Sequence, residues 1–284
     1  MRYLHRFMQS MVCVLLAQLW CQAASAPNFV VILLDDMPWS GTSVRMDPSI
    51  PASAMAHLHM PNVEQMAARG MVFRNARSAA GMCAPSRCSL MTGMMSAQHL
   101  YSGNGGFGSK TDGTVEYMSR KVDKNYPLLQ PEPQGNIRFP SIGDVLHKVG
   151  YATAHFGKWH LYGGGPQAHG FDESDGETDN KNGSEKAPDG KRLDTIADPK
   201  HMFAITNSAM SFITKQSKAD KPFYVQLSHY AMHGGYQTRP ATFEKYDKLA
   251  VFNAIENKNE RKMPSCMPQW QRMSMTALVN YLNP

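Results

Sequence analysis

Three apolar, branched runs dominate the chain, and each one ends in residues that carry chemistry. Asn28 to Leu34 runs into Asp35-Asp36. Tyr151 to Phe156 runs into Gly157-Lys158-Trp159-His160. Phe223 to Leu227 runs into Ser228-His229-Tyr230-Ala231-Met232-His233. A continuous apolar run, as opposed to an alternating one, is the pattern of a strand buried on both faces of a parallel sheet. Helical patterns lie between the runs. Pro61 to Gly70 reads as a short helix with Gly70 as its stop, Ser141-Ile142-Gly143-Asp144 as a capping box opening a helix ended by Gly150, and His201 to Lys215 as a packing helix through Met202, Ile205, Met210 and Ile213. The fold class is therefore α/β, a largely parallel central sheet with helices on both faces. In such sheets the ligand crevice lies at the carboxyl ends of the strands, where all three polar endings fall.

The adjacent carboxylates Asp35 and Asp36 repel each other unless a cation or hydrogen-bond donors hold them, and a hard cation such as calcium takes several carboxylate oxygens. A second feature sits in Gly81-Met82-Cys83-Ala84-Pro85-Ser86-Arg87-Cys88-Ser89-Leu90-Met91-Thr92-Gly93. Pro is favoured in the first turn of a helix, so Cys83 stands at or just before a helix N-terminus, where free N–H groups and the helix dipole attract anions. Arg87 is a permanent donor one turn further on. A nucleophile here faces a negatively charged substrate group. Met71 to Phe73, between the Pro61 helix and this stretch, reads as a further strand.

Composition narrows the classes. With 42% hydrophobic and 18% charged residues the chain is an ordinary globular protein. Its net charge of +6 is spread without a basic block, which helps to attract anionic substrates and gives no nucleic-acid footprint. Residues 1–26 read as a signal peptide: Arg2 and Arg6 give a basic start, Val12 to Leu16 an apolar core, and Ala24-Ser25-Ala26 a cleavage site before Pro27. Interrupted by Gln9, Ser10 and Gln18, the run is too short for a stable membrane span, so the expected location is secreted or periplasmic. The loss of Arg2 and Arg6 would leave 27 basic and 23 acidic residues, a net charge of +4. Cys83, Cys88 and Cys266 would remain, too few for a disulfide scaffold. His57 and His59 have no further ligands nearby and read as surface residues. Gly103 to Gly108 lacks the preceding strand and the Lys-Ser/Thr ending of a phosphate loop. Tyr117 to Gly135 reads as surface, and Gly176 to Gly190 as the longest loop, with Asn182-Gly183-Ser184 an acceptor for glycosylation in a eukaryotic host.

The pattern Cys-x-Pro-Ser-Arg-x-x-Leu-x-Thr-Gly, from Cys83 to Gly93, resembles the signature of the type I sulfatases. Gly150-Tyr151-x-Thr153 followed by Gly157-Lys158-Trp159-His160 resembles their second signature, and His169-Gly170-Phe171-Asp172 the turn common after it. The resemblance implies hydrolysis of sulfate monoesters, with sulfated carbohydrate as substrate. It also implies oxidation of Cys83 to formylglycine by a formylglycine-generating or other sulfatase-maturing enzyme. One hydroxyl of the formylglycine hydrate would attack sulfur and the other would collapse to the aldehyde, releasing sulfate. Calcium would sit on Asp35, Asp36 and residue 83. Arg87 and Lys158 would stabilise charge, with Lys158 bridging nucleophile and sulfate, and His160 would hydrogen-bond the hydrate. His233 would contact the sulfate, with Met232 in place of the family's usual Pro; His229 has the weaker claim. With Cys83 converted, Cys88 and Cys266 are left free to pair.

The resemblance runs from Asn28 to about Asp247 and then fades. Residues 27–252 are expected to be an incomplete catalytic domain and 253–284 a tail of doubtful match, without the Asp-Asn pair that completes the family's calcium site or its later lysine. Two alternatives follow: a truncated, non-catalytic sulfatase-like fragment, or a phosphomonoester or phosphonate-ester hydrolase.

Overall fold

The computed structural model describes residues 26–247, apart from 56, 100, 102–114, 118–119, 123–138, 162, 185, 187–188, 190–195 and 235–236, and gives the backbone alone for 115–117 and 120–122. The expected signal peptide up to residue 25, the Gly103–Gly108 loop, Cys266 and the tail 253–284 lie outside the described residues. In chain order the elements are β1 (Phe29–Leu34), α1 (Pro61–Arg69), α2 (Cys83–Thr92), α3 (Ser96–His99), β2 (Val115–Tyr117), β3 (Arg120–Val122), α4 (Ile142–Lys148), β4 (Ala152–Gly157), β5 (Glu173–Ser174), α5 (Met202–Lys218), β6 (Phe223–His229) and α6 (Pro240–Asp247). Short 3-10 turns add to these, among them Asn180–Gly183 and Pro199–His201.

The main sheet has the order β1-β6-β4-β5 and every pairing is parallel. β6, the last of these strands in sequence, therefore lies between β1 and β4, with Leu34 opposite His229 and Gly157 opposite Ser228. This brings the carboxyl ends of all three predicted strands side by side.

The two faces of the sheet are built differently. On one, Ala152, Ala154, Phe156, Phe223, Val225 and Leu227 pack against Ile205, Ala209, Phe212 and Ile213 of α5. On the other, Tyr151 and Tyr224 pack with Ala84, Cys88 and Met91 of α2 and with Trp159, Leu161 and Phe171, while Ile142 and Leu146 of α4 close the edge. Between these residues the second face buries a chain of polar groups. The Tyr224 hydroxyl donates to Gln226 Oε1 at 2.8 Å, Gln226 Nε2 donates to Ser228 Oγ at 2.9 Å, and Ser228 Oγ lies 3.0 Å from His155 Nε2. Ser228 Oγ, which accepts from Gln226, can either donate to His155 Nε2 or accept from it, according to the imidazole tautomer. Such a buried chain of hydrogen bonds orders its surroundings, although His155 Nδ1 is buried without a partner among the described residues.

One expectation needs correction and two gain detail. Met71 to Phe73 is not a strand: it pairs with no neighbour among the described residues, and Met71 and Phe73 are 77% and 68% exposed. Three apolar residues do not make a strand without a ladder to join. Part of the Tyr117–Gly135 surface stretch joins an antiparallel pair, β2 with β3. Within the Gly176–Gly190 stretch, Asp179 caps a 3-10 turn in a reciprocal capping box with Asn182. The Ser141–Asp144 capping box forms as read, and His57 and His59 are exposed.

Candidate active site

β1 ends on Asp35 and Asp36. Asp35 N–H donates to Ala231 O at 2.6 Å, and Met232 N–H donates back to Asp35 O. This exchange ties the end of β1 to the turn after β6 and sets His233 beside the carboxylates. Asp36 has φ 56°, a left-handed backbone that Asp tolerates better than most side chains.

α2 begins at Cys83. Its N-cap, Met82, is extended and offers no side-chain cap, and Ser86 N–H closes the first turn onto Met82 O at 3.2 Å. Gly93, left-handed at φ 69°, ends the helix with its N–H on Ser89 O. Arg87, one turn after Cys83, is 4% exposed and reaches across to Asp35 Oδ1 at 3.0 Å. Its other nitrogen donates to Lys158 O.

β4 delivers Lys158, which is fully buried, and its ammonium pairs with Asp35 Oδ2. Lys158 N–H donates to Ser228 O at 2.7 Å. Gly157 has φ 93°, and a Cβ there would lie 2.2 Å from Ser228 O, so only glycine lets the two strand ends close together at this point.

A clamp that sequence reasoning missed holds the residues that follow. Asp175 Oδ2 accepts from Gly157 N–H at 2.7 Å. Thr178 Oγ1 donates to Gly157 O at 2.6 Å and accepts from Trp159 N–H at 2.9 Å, and Thr178 O accepts from His160 N–H at 2.7 Å. These bonds hold His160 in a left-handed conformation at φ 58°. Asp175 and Thr178 stand in a Gly- and Asp-rich stretch with no periodicity, and only the order Gly-Lys-Trp-His plus a later polar segment hints at them.

The sequence-predicted residues therefore converge. Asp35, Asp36, Cys83 and His233 each bring a ligand atom, and the four atoms lie within 4.8 Å of one another. Cys83 Sγ is 4.0 Å from Asp35 Oδ2 and 3.9 Å from Asp36 Oδ1. Arg87 and Lys158 meet on Asp35. His160 stands beside this group with its Nδ1 buried and without a hydrogen-bond partner among the described residues. His229 is fully buried, and both its ring nitrogens are likewise without a partner among the described residues.

Charge explains the protonation states. Burial alone would raise the Asp35 pKa, but the Arg87 and Lys158 cations outweigh it and hold the carboxyl below its ordinary 3.8. Burial pushes the Cys83 thiol above its ordinary 9.0, and Asp35 and Asp36 add to this against the opposing cations. The unmodified thiol is thus protonated at neutral pH and is a weak nucleophile. Burial, then Lys158 and Arg87, push His160 down to about 4, so its ring is neutral at pH 7.

Asp35 and Asp36 suit a hard cation as part of an oxygen set. As it stands, with a thiol at position 83 and both Asp35 oxygens on cations, the cluster does not supply the six to eight oxygens calcium takes.

A cysteine at a helix N-terminus, paired carboxylates and two buried cations meet at the carboxyl edge of a parallel sheet, the place where open α/β folds bind their ligands. The sulfatase family model matches residues 27–279, and the chain belongs to that family. It is 33% identical over 158 residues to N-acetylgalactosamine-6-sulfatase from Homo sapiens, covering 53% of this chain and 25% of that enzyme. It is 32% identical over 140 residues to arylsulfatase G from Canis lupus familiaris, covering 49% of this chain and 21% of that protein. Among solved structures, Ps i-CgsB in complex with k-i-k-neocarrahexaose superposes with a TM-score of 0.62 at 21% identity, covering 90% of this chain and 55% of that one, which establishes the shared fold. The matched stretches thus take in a quarter or less of those two curated relatives.

Proposed function

We propose that this chain carries the catalytic centre of a sulfate-ester hydrolase acting on sulfated carbohydrate, with residue 83 as the nucleophile position. The observation that carries this reading is the convergence of Arg87 and Lys158 beside the first residue of α2. Names of relatives point the same way for the substrate: the curated ones include an N-acetylgalactosamine-6-sulfatase, and one structural neighbour is described in complex with its substrate D-glucosamine-2-N,6-O-disulfate.

In this reading Cys83 is converted to formylglycine by a maturing enzyme. A protonated thiol fits that requirement, since it needs chemical conversion before it can attack at neutral pH. The hydrate of formylglycine would supply the attacking hydroxyl, and calcium, when bound, would be held by Asp35, Asp36 and the oxygen that replaces the Cys83 sulfur and would supply Lewis-acid polarisation. The chain's own residues do the rest. The positive end of the α2 dipole and the Arg87 guanidinium face the anion's oxygens. The Lys158 ammonium is within reach of the same space and balances charge as it develops. His160, neutral at pH 7, can accept or donate a hydrogen bond at residue 83, and His233 can hold a sulfate oxygen or pass a proton to the leaving alcohol. Export to a secreted or periplasmic location follows from the N-terminal segment. No helix among the described residues is long and apolar enough to cross a membrane.

Turnover of matched aryl sulfate and aryl phosphate by the converted chain tests this reading. Faster release from the sulfate is expected. Preference for the phosphate would move the chain to the phosphoester hydrolases, and turnover of neither would make it a non-catalytic member of the family.

A further inference from the structure

The four converging ligand atoms come from three places in the fold: Asp35 and Asp36 from the end of β1, Cys83 from the first residue of α2, and His233 from the turn after β6. A thiolate, an imidazole and two carboxylates, one atom from each, form a mixed S/N/O set of four. That is the donor chemistry and number of a zinc-class ion, whereas calcium takes oxygen ligands in greater number. Around tetrahedral zinc the ligand atoms lie about 3.5 Å apart. The separations of 3.9 and 4.0 Å at Cys83, and of up to 4.8 Å overall, need only small side-chain rotations to close.

The surroundings complete the arrangement. Arg87 Nη2 donates to Asp35 Oδ1, the kind of outer hydrogen bond that orients a ligating carboxylate. The second oxygen, Oδ2, is held by the Lys158 ammonium, so a divalent ion would take the place of one cation with another of higher charge. Two carboxylates and a thiolate bring three negative charges to the ion, Arg87 and Lys158.

We propose that the chain with Cys83 still a thiol binds a zinc-class divalent ion through Cys83 Sγ, Asp35, Asp36 and His233. Binding exchanges the thiol proton for the metal: the S–H bond breaks, an S–metal bond forms, and one proton goes to solvent. Together with the formylglycine reading above, on which this one consequence rests, replacing sulfur by oxygen at residue 83 turns the same position from a zinc-class to a calcium-class site. A soft ion held before conversion would shield the cysteine from the enzyme that must oxidise it.

The test uses cobalt(II) as a spectroscopic stand-in for zinc, added to the reduced full chain. One equivalent is expected to give a thiolate-to-cobalt charge-transfer band in the near ultraviolet with tetrahedral visible bands. Zinc should abolish both, and excess calcium should leave them. The charge-transfer band should vanish in Cys83→Ser and persist in Cys88→Ser, and His233→Ala should weaken cobalt binding by 10-fold or more. A second measurement needs no variant: zinc should slow alkylation of Cys83 in the wild-type chain without slowing that of denatured chain. The absence of a charge-transfer band, its survival in Cys83→Ser, or unprotected alkylation of Cys83 would overturn the proposal. None of these readouts depends on ester hydrolysis, so failure of the sulfatase reading would show separately in the aryl ester assay.

Discussion

The two faces of one sheet do different work. Toward α5, strands β4 and β6 present Ala152, Ala154, Phe156, Phe223, Val225 and Leu227, an apolar layer whose burial stabilises the fold without directing any functional group. Toward α2, the same strands present Thr153, His155, Tyr224, Gln226 and Ser228, all buried, the last four joined by hydrogen bonds and Thr153 bonded to Gly170 O and Asp172. Non-directional packing tolerates small shifts, whereas a chain of hydrogen bonds fixes positions to within a few tenths of an ångström. The polar face leads to the place where fixed positions matter: Ser228 O holds Lys158, and Lys158 meets Arg87 on Asp35. The difference teaches that polarity inside a parallel sheet can mark the face that supports a site.

Four changes would break or sharpen this contrast. On the apolar face, Phe212→Ala should lower unfolding free energy by about 3–5 kcal/mol in urea melts, yet leave aryl sulfate turnover of the folded chain within a factor of two. A large loss of turnover at unchanged stability would refute the division. At the junction, Asp35→Asn removes the carboxylate that holds two buried cations. It should destabilise by about 3 kcal/mol, the range for breaking a buried pair, and abolish turnover as well, read by melts and assay on one sample. On the polar face, Ser228→Ala leaves Gln226 Nε2 and His155 Nε2 without partners. An expected loss of about 1–3 kcal/mol should come with a fall in kcat, because the strand end that carries Lys158 loosens; unchanged kcat would confine the network to stability.

The fourth change concerns pH. Burial is the first cause, with the Arg87 charge next, that pushes His155 from its ordinary 6.5 down to about 3. The unfolded chain binds a proton at this residue below pH 6.5 and the folded chain does not until about pH 3. The stability contributed by neutral His155 is therefore fully present above 6.5 and is lost as pH falls from 6.5 toward 3, at up to about 1.4 kcal/mol per pH unit. Urea midpoints at pH 7.5, 6.0 and 5.0 should decline accordingly, and His155→Gln should flatten the decline by one proton's worth. Equal slopes in the two chains would contradict the buried neutral ring.

The sequence reveals this molecule unevenly. The three strands are legible because continuous branched runs have few other uses, and α2 because Pro85 and Gly93 bracket it. Asp35 and Lys158 are legible because each directly follows such a strand, Cys83 and Arg87 because they lie in the first two turns of α2, and His233 because it closes the polar ending after β6. Strand order is not: nothing in Phe223–His229 says that it inserts between β1 and β4, since pairing is decided by three-dimensional packing. Gln226 and Ser228 look like interruptions of an apolar run, and their hydrogen bonds show only once β4 lies alongside. Asp175 and Thr178 clamp the Gly157–His160 segment from a stretch whose composition says only loop. The pairing of Lys158 with Asp35 crosses 123 positions and leaves no local trace.

The central claim is that residue 83, once converted, is the nucleophile of a sulfate-ester hydrolase. Its most direct test is to co-produce the chain with a formylglycine-generating enzyme at graded levels. In each sample the fraction of aldehyde in the peptide bearing residue 83 is measured by mass spectrometry, alongside aryl sulfate turnover. The account predicts turnover proportional to the aldehyde fraction and none in Cys83→Ala. A fully converted chain that releases no sulfate, or turnover that survives Cys83→Ala, would contradict it.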